Sequence, residues 1–329
     1  MRKRTARRVL CVMKTRTADF YSEFYCLADR CPETCCANWQ IPIDAETRAR
    51  YHKMQGKDGK AIRRALHGGH LQNKDGRCPF LNESNLCELI LHEGGSQKNL
   101  GQVCRLYPRK IAVYGAVETI SLSVSCPFAA RLTLKNDDGF SFSETEDDRP
   151  PQPNELAPER FRAAMRCRDL AIETLRKRET PLAQRVKRSM ELCGATICEM
   201  PIEKRRARLF RLFAGMDLTD KNLKDEIRRM KRETHREARQ MQPWLCAAAE
   251  NLLVYAFDRY LPEAADDGDT ASRARLCVAW CWMLAELAQN RGEALTKEDF
   301  TRLVVRFSRQ TEHCDRNLMR MLRGARRVF

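Results

Sequence analysis

Cys31-Pro32-Glu33-Thr34-Cys35-Cys36 is the run on which the reading of this chain turns. It is a C-x3-C-C cluster within a larger set. Cys26 precedes it, and Cys78-Pro79-Phe80-Leu81, Cys87, Cys104-Arg105-Leu106-Tyr107-Pro108-Arg109 and Cys126-Pro127 follow. Neighbours such as Cys35 and Cys36 rarely bond to each other, because the bridge strains the peptide between them. A secreted disulfide framework would call for a leader. Met1-Arg2-Lys3-Arg4 is basic, but the apolar run from Val9 to Met13 falls short of a secretory core of roughly 7–15 residues. No stretch approaches the ~20 apolar residues of a membrane span. The expected compartment is therefore the cytosol, where thiols stay reduced. Thiolates gathered this closely there point to zinc or an iron–sulfur cluster. Buried structural cysteine, packing as a small hydrophobe, is the plainer alternative.

Working outward, residues 1–134 read as a cysteine-rich, irregular module. Asp44 is placed to cap a short helix from Ala45 to Met54, and Lys60 to His67 suggests another. Gly68-Gly69 and Asp75-Gly76 mark turns. Lys110 to Val124 is β-branched and alternates about Gly115, which predicts a small β-hairpin. Residues 135–157 are polar and proline-rich, a linker or a surface excursion. From Pro158 to the end, 158–329, the pattern is helical. Thr180-Pro181 signals a start, and Trp244 to Leu261 puts Leu253, Phe257 and Leu261 on one face. Arg273 to Ala288 carries Cys277 and Cys281 on an apolar stripe, which favours core packing over a metal. Thr296-Lys297-Glu298-Asp299 predicts a capping box opening a last basic helix to about Arg323. The fold class expected is mainly α, with the cysteine-rich module and its hairpin ahead of an α-helical domain.

Composition bounds the function. At 329 residues and 43% hydrophobic, the chain can bury a substantial core. Its net charge of +16 admits an acidic protein partner, nucleic acid or an acidic membrane surface. Arginine is spread through helical segments alongside glutamate, as in Arg205-Arg206-Ala207-Arg208 and Glu226-Ile227-Arg228-Arg229, which favours general helical solvation over a single nucleic-acid stripe. Among only 15 glycines there is no G-x-G-x-x-G after a strand, no G-x-x-x-x-G-K and no Gly-x-Ser-x-Gly elbow, so Rossmann, P-loop and α/β-hydrolase chemistry is disfavoured. The C-x3-C-x2-C spacing of radical chemistry starts at Cys31 and Cys35 but meets Asn38. His67, His70, His52, His92, His235 and His313 read as surface or capping residues. Cys11, Cys167, Cys193, Cys198, Cys246 and Cys314 read as ordinary thiols.

The order C-x3-C-C, C-P-F-L, Cys, C-R-x-Y-P-R and S-C-P resembles the cysteine-rich zinc- or iron-chelating proteins. With Tyr25-Cys26, Asn38-Trp39, Glu250-Asn251-Leu252-Leu253-Val254-Tyr255 and Arg306-Phe307-Ser308-Arg309-Gln310-Thr311-Glu312-His313, the fuller likeness is to the flagellin lysine N-methylases (FliB). It spans roughly residues 20–134 and 240–320. That resemblance implies a methyltransferase moving a methyl group from S-adenosylmethionine to lysine ε-amino groups of flagellin, in the cytoplasm, with a [4Fe-4S] cluster or, alternatively, zinc. The ligand set would be drawn from Cys26, Cys31, Cys35, Cys36, Cys78, Cys87, Cys104 and Cys126. Displacement needs a neutral amine, a minority form at an unperturbed pKa near ~10.4. Tyr25, Tyr107 and Glu250 are candidates for that task by their place in the matched motifs. A non-catalytic zinc- or cluster-binding interaction or redox protein is the alternative.

Overall fold

The structure is a computed structural model that describes residues 12–37, 41–72, 74, 76–152, 158–233 and 241–329. Cys11, Asn38, Trp39, Asp75, His235 and the end of the proline-rich segment lie outside the described residues. The fold is mainly α, with a small sheet region.

Strand β1 (Met13–Ala18) opens the described chain. The chain then enters a small body made of β2 (Ile41–Pro42), α1 (Ala45–Lys53), α2 (Gly56–Ala65), β3 (Leu66–His67), β4 (His70–Leu71), α3 (Glu88–Leu91) and α4 (Gln102–Leu106). This body has its own apolar core of Ile41, Ile43, Tyr51, Ile62, Leu71, Cys78, Phe80, Leu89 and Leu100. Asp44 caps α1 by accepting from the Thr47 N–H at 2.8 Å and also accepts from Gln102 N at 3.1 Å, so one carboxylate joins α1 to α4. The helix expected from Lys60 to His67 begins earlier, at Gly56, and stops at Ala65. Leu66 and His67 are extended because Gly68 and Gly69 turn the chain back, pairing β3 with β4.

Strands β5 (Arg109–Tyr114) and β6 (Val117–Leu122) follow, closed by Gly115 at φ +63°. Helix α5 (Pro127–Leu134) begins directly after Cys126. Strand β7 (Phe142–Asp147) comes from the segment read as a linker or excursion. The hairpin is not alone: the sheet runs β5-β6-β1-β7, with β1 parallel to β6 and antiparallel to β7. A parallel pair needs a crossover. Here the whole small body occupies it.

The remaining helices are α6 (Pro158–Leu175), α7 (Leu182–Leu192), α8 (Ile202–Ala214), α9 (Lys221–Arg232), α10 (Pro243–Tyr260), α11 (Ala264–Asp267), α12 (Thr270–Arg291), α13 (Lys297–Thr311) and α14 (Asp315–Gly324). α10 and α12 are buried on nearly every side, as a helix at the centre of a bundle must be. Phe213, Phe257, Trp280 and Phe307 fill the larger core, each contributing on the order of 2 kcal/mol by burial. Trp280 keeps its N–H satisfied on Thr311 Oγ1 at 2.8 Å. Cys277 and Cys281 are packed in this core. Thr180 makes no cap; α7 starts after Pro181 with no side-chain cap bond. The Thr296–Asp299 capping box does form. The single last helix expected to Arg323 is instead two, α13 and α14, broken at Glu312–Cys314. No described helix is long and apolar enough to cross a membrane.

Candidate metal and polar-network site

All the described cysteines are free thiols. Local backbone geometry draws eight of them into two neighbourhoods. Cys78 N–H donates to Cys36 O at 2.7 Å, Leu81 N–H returns to Cys78 O at 3.0 Å, and Leu81 bridges to Cys87. Cys36, Cys87 and Cys104 pack against the small core that contains Cys78. Charge on Cys36 is felt at Cys78, Cys87 and Cys104, which makes a first set of four. Burial pushes the Cys78 thiol up to about 12, and burial also raises Cys87 and Cys104. Backbone N–H groups point at sulfur in this set, from Phe80 to Cys78 and from Ile90 and Leu89 to Cys87. Such donors favour thiolate.

The second set is Cys26, Cys31, Cys35 and Cys126. Cys26 acts on the other three, but Cys36 and Cys104 act on Cys35 more strongly, so Cys35 belongs to both sets. Phe128, at the start of α5, forms the floor beneath Tyr25, with ring centroids 4.6 Å apart. Arg309 on α13 is the clamp. Its Nε donates to Ser125 O at 3.1 Å, its Nη2 to Glu33 O at 2.9 Å, and its Nη1 pairs with the Glu33 carboxylate at 3.2 Å. One guanidinium therefore holds the C-x3-C-C run against the S-C-P segment. The two sets meet at Cys35–Cys36. The Cys35 thiol donates to Cys36, which lowers Cys36 to about 7 and holds Cys35 protonated.

Sulfur in fours, with backbone donors, is the right kind of ligand for zinc or an iron–sulfur cluster. The spacing does not complete the match. Among the described residues no three His, Cys, Asp or Glu side chains converge closely enough to hold a metal ion.

Behind the second set lies a polar network that joins distant parts of the chain. Tyr107 and Ser125 share a hydrogen bond at 3.0 Å, Ser125 and Ser123 another at 2.8 Å, and His313 Nε2 meets Ser125 Oγ at 2.8 Å. Val124 N–H donates to the Tyr255 hydroxyl at 3.4 Å, and that hydroxyl donates to Glu312 Oε2 at 2.8 Å. Arg259 Nε and Ser308 Oγ complete the Glu312 shell at 3.0 and 2.7 Å. Burial, helped by the nearby guanidiniums of Arg259 and Arg309, lowers His313 to about 4, so it stays neutral at pH 7. Burial raises the Tyr107 and Tyr255 phenols.

Arg259 also faces a second feature, a 260 Å³ pocket between the hairpin and α10. Lys110, Tyr114, Asp258, Glu263 and Asp266 line it. Lys110 and Arg259 offset part of this charge and Asp258 is paired with Arg16 at 3.2 Å, which leaves Glu263 and Asp266 beside the Tyr114 phenol to meet an ammonium group.

The residues expected to act fall in different places. Tyr107 is in the network. Tyr25 is 52% exposed over Phe128. Glu250 is buried and doubly ion-paired, to Arg178 at 2.8 Å and Arg185 at 2.6 Å, so its oxygens are already engaged. Beside it, Asn251 donates to Asn136 O at 2.9 Å and anchors the segment after α5. His313, read in sequence as a surface or capping residue, is part of the network because the break after α13 turns it inward. Ser123, Ser125, Tyr255, Arg259, Arg309 and Glu312 were not singled out as acting residues. For those on helices the signal is polarity at four-residue spacing, Tyr255–Arg259 and Ser308–Glu312; Ser123 and Ser125 lie in the turn between β6 and α5 and have no such spacing.

The chain matches no family model, no curated protein and no solved structure.

Proposed function

We propose that the protein is a cytoplasmic protein-lysine N-methyltransferase acting on flagellin, with S-adenosylmethionine as donor and an iron–sulfur centre drawn from the clustered cysteines. The observation that supports this reading most is convergence. Residues of the C-x3-C-C, C-R-x-Y-P-R, S-C-P and R-F-S-R-Q-T-E-H stretches, read as one family pattern, meet through Arg309, Tyr107, Ser125 and His313.

The donor, when bound, supplies an electrophilic methyl group on a sulfonium. This chain's own residues would receive the amine. The pocket under the hairpin offers Glu263 and Asp266 to bind a lysine ammonium, Asp258 being already paired with Arg16 at 3.2 Å. A carboxylate there takes the proton that must leave nitrogen before attack. Tyr114, raised to about 12 chiefly by burial, stays a neutral phenol against the chain's methylenes. Arg259 ties that pocket to Glu312 and the network.

The test is incubation of protein purified without oxygen with flagellin and labelled S-adenosylmethionine. Methyl groups on flagellin lysines are expected; unlabelled flagellin with intact donor would refute the assignment. Metal and acid-labile sulfide analysis belongs to the same preparation. A second reading, a non-catalytic zinc- or cluster-binding module working by interaction or redox, is favoured by the packing of Cys36, Cys78, Cys87 and Cys104 against the small core, as structural staples pack. Zinc without sulfide, together with no methyl transfer, would select it.

A further inference from the structure

A cavity of about 690 Å³ opens between α7, α8, α10 and α12, on the side of the helical body away from the polar network. The separation follows from helix geometry. Ala249 and Leu253 of α10 line the cavity, whereas Tyr255 and Arg259 of the same helix face the network, roughly a third of a turn around the axis. Its wall is apolar and adaptable: Met190, Met200, Met241, Leu253, Trp282 and Phe329. Flexible methionine lets a wall fit chains of varied shape.

The polar side is equally specific. Lys187 of α7 and Arg205 of α8 line the cavity, and Arg205 Nε is buried without a hydrogen-bond partner. Pro201 and Ile202, at the start of the 13-residue helix α8, are also in the wall, and no side chain caps that helix. Uncapped first-turn N–H groups and the positive end of the helix dipole favour an anion. Glu199 is the one acidic lining residue; it is exposed on the loop before α8, where water and salt screen it.

We propose that this cavity binds a single-chain amphiphile with a carboxylate head, of the fatty-acid type, its chain against the methionine-rich wall and its head at Arg205 and the start of α8. The site is independent of the methyl-transfer reading.

The probes are octanoate, decanoate, dodecanoate and dodecanol, each below its micelle-forming concentration, titrated calorimetrically into the full chain. Saturable one-to-one binding is expected, tightening about fourfold per added methylene as buried chain accumulates. Arg205→Gln should weaken dodecanoate to the level of dodecanol and leave dodecanol unchanged. Ala285→Trp, which fills the cavity, should abolish both. Ala183→Trp, at an exposed position on its rim, serves should the first filling variant fail to fold. No saturable binding, binding of many molecules per chain, or dodecanoate affinity indifferent to both the arginine and the rim variants would overturn the proposal.

Discussion

His313 is held neutral at its place beside Ser125, and this has a definite signature in pH. Its folded pKa, about 4, lies below the ordinary 6.5. Between those values the unfolded chain takes up a proton that the folded chain refuses, so the stability present above pH 6.5 is lost as pH falls toward 4. The full shift is worth about 3 kcal/mol, and partial exposure trims it to about 2. Denaturant melts across that range should show this slope, and His313→Gln should flatten it relative to the parent protein. Arg309 makes a different prediction. Arg309→Lys keeps the charge but cannot reach Ser125 and both acceptors of Glu33 at once. If the proposed centre draws on Cys26, Cys31, Cys35 and Cys126, its metal content should fall. Elemental analysis reads the loss; an unchanged content would separate the clamp from the thiols.

At the scale of elements, the break between α13 and α14 is held open by one side chain. Glu312 is fully buried at the end of α13 and accepts from Tyr255, Arg259 and Ser308. Glu312→Ala would strand the Arg259 guanidinium, itself 6% exposed, at a cost of about 3–5 kcal/mol in urea unfolding. Glu312→Gln keeps acceptors for Tyr255 and Ser308 and should cost less. The sequence signalled the start of α13 well, because the Thr296 capping box is a local device. It did not signal the end, because a buried carboxylate stops that helix through contacts with α10. The same contrast runs through the sheet. β5 and β6 show in the alternation about Gly115, but β7, Phe142-Ser-Glu-Thr-Glu-Asp, is almost wholly polar and exposed. Only its pairing with β1 makes it a strand. The cysteine spacing pointed to thiols that the fold draws into two neighbourhoods; the network behind them depends on residues from α10 and α13 whose meeting is tertiary.

The whole molecule holds two hydrophobic cores, one small and one large. They should melt separately. Ile62→Ala, at a fully buried position of the small core, is expected to lower a first calorimetric transition by about 2–4 kcal/mol while leaving the second in place. Phe257→Ala should do the reverse. The parallel pairing of β1 with β6 carries a further consequence, for the order in which a growing chain can assemble. Thr15 meets Glu118 across 103 residues, so β1 emerges from the ribosome long before either of its sheet neighbours exists. The small body, by contrast, is complete once synthesis passes α4, and its thiols gather with it. The second set waits for Cys126, and its Arg309 clamp for nearly the whole chain. Cys36 and its partners thus come together first, and the nascent β1 edge stays unpaired until the hairpin is made.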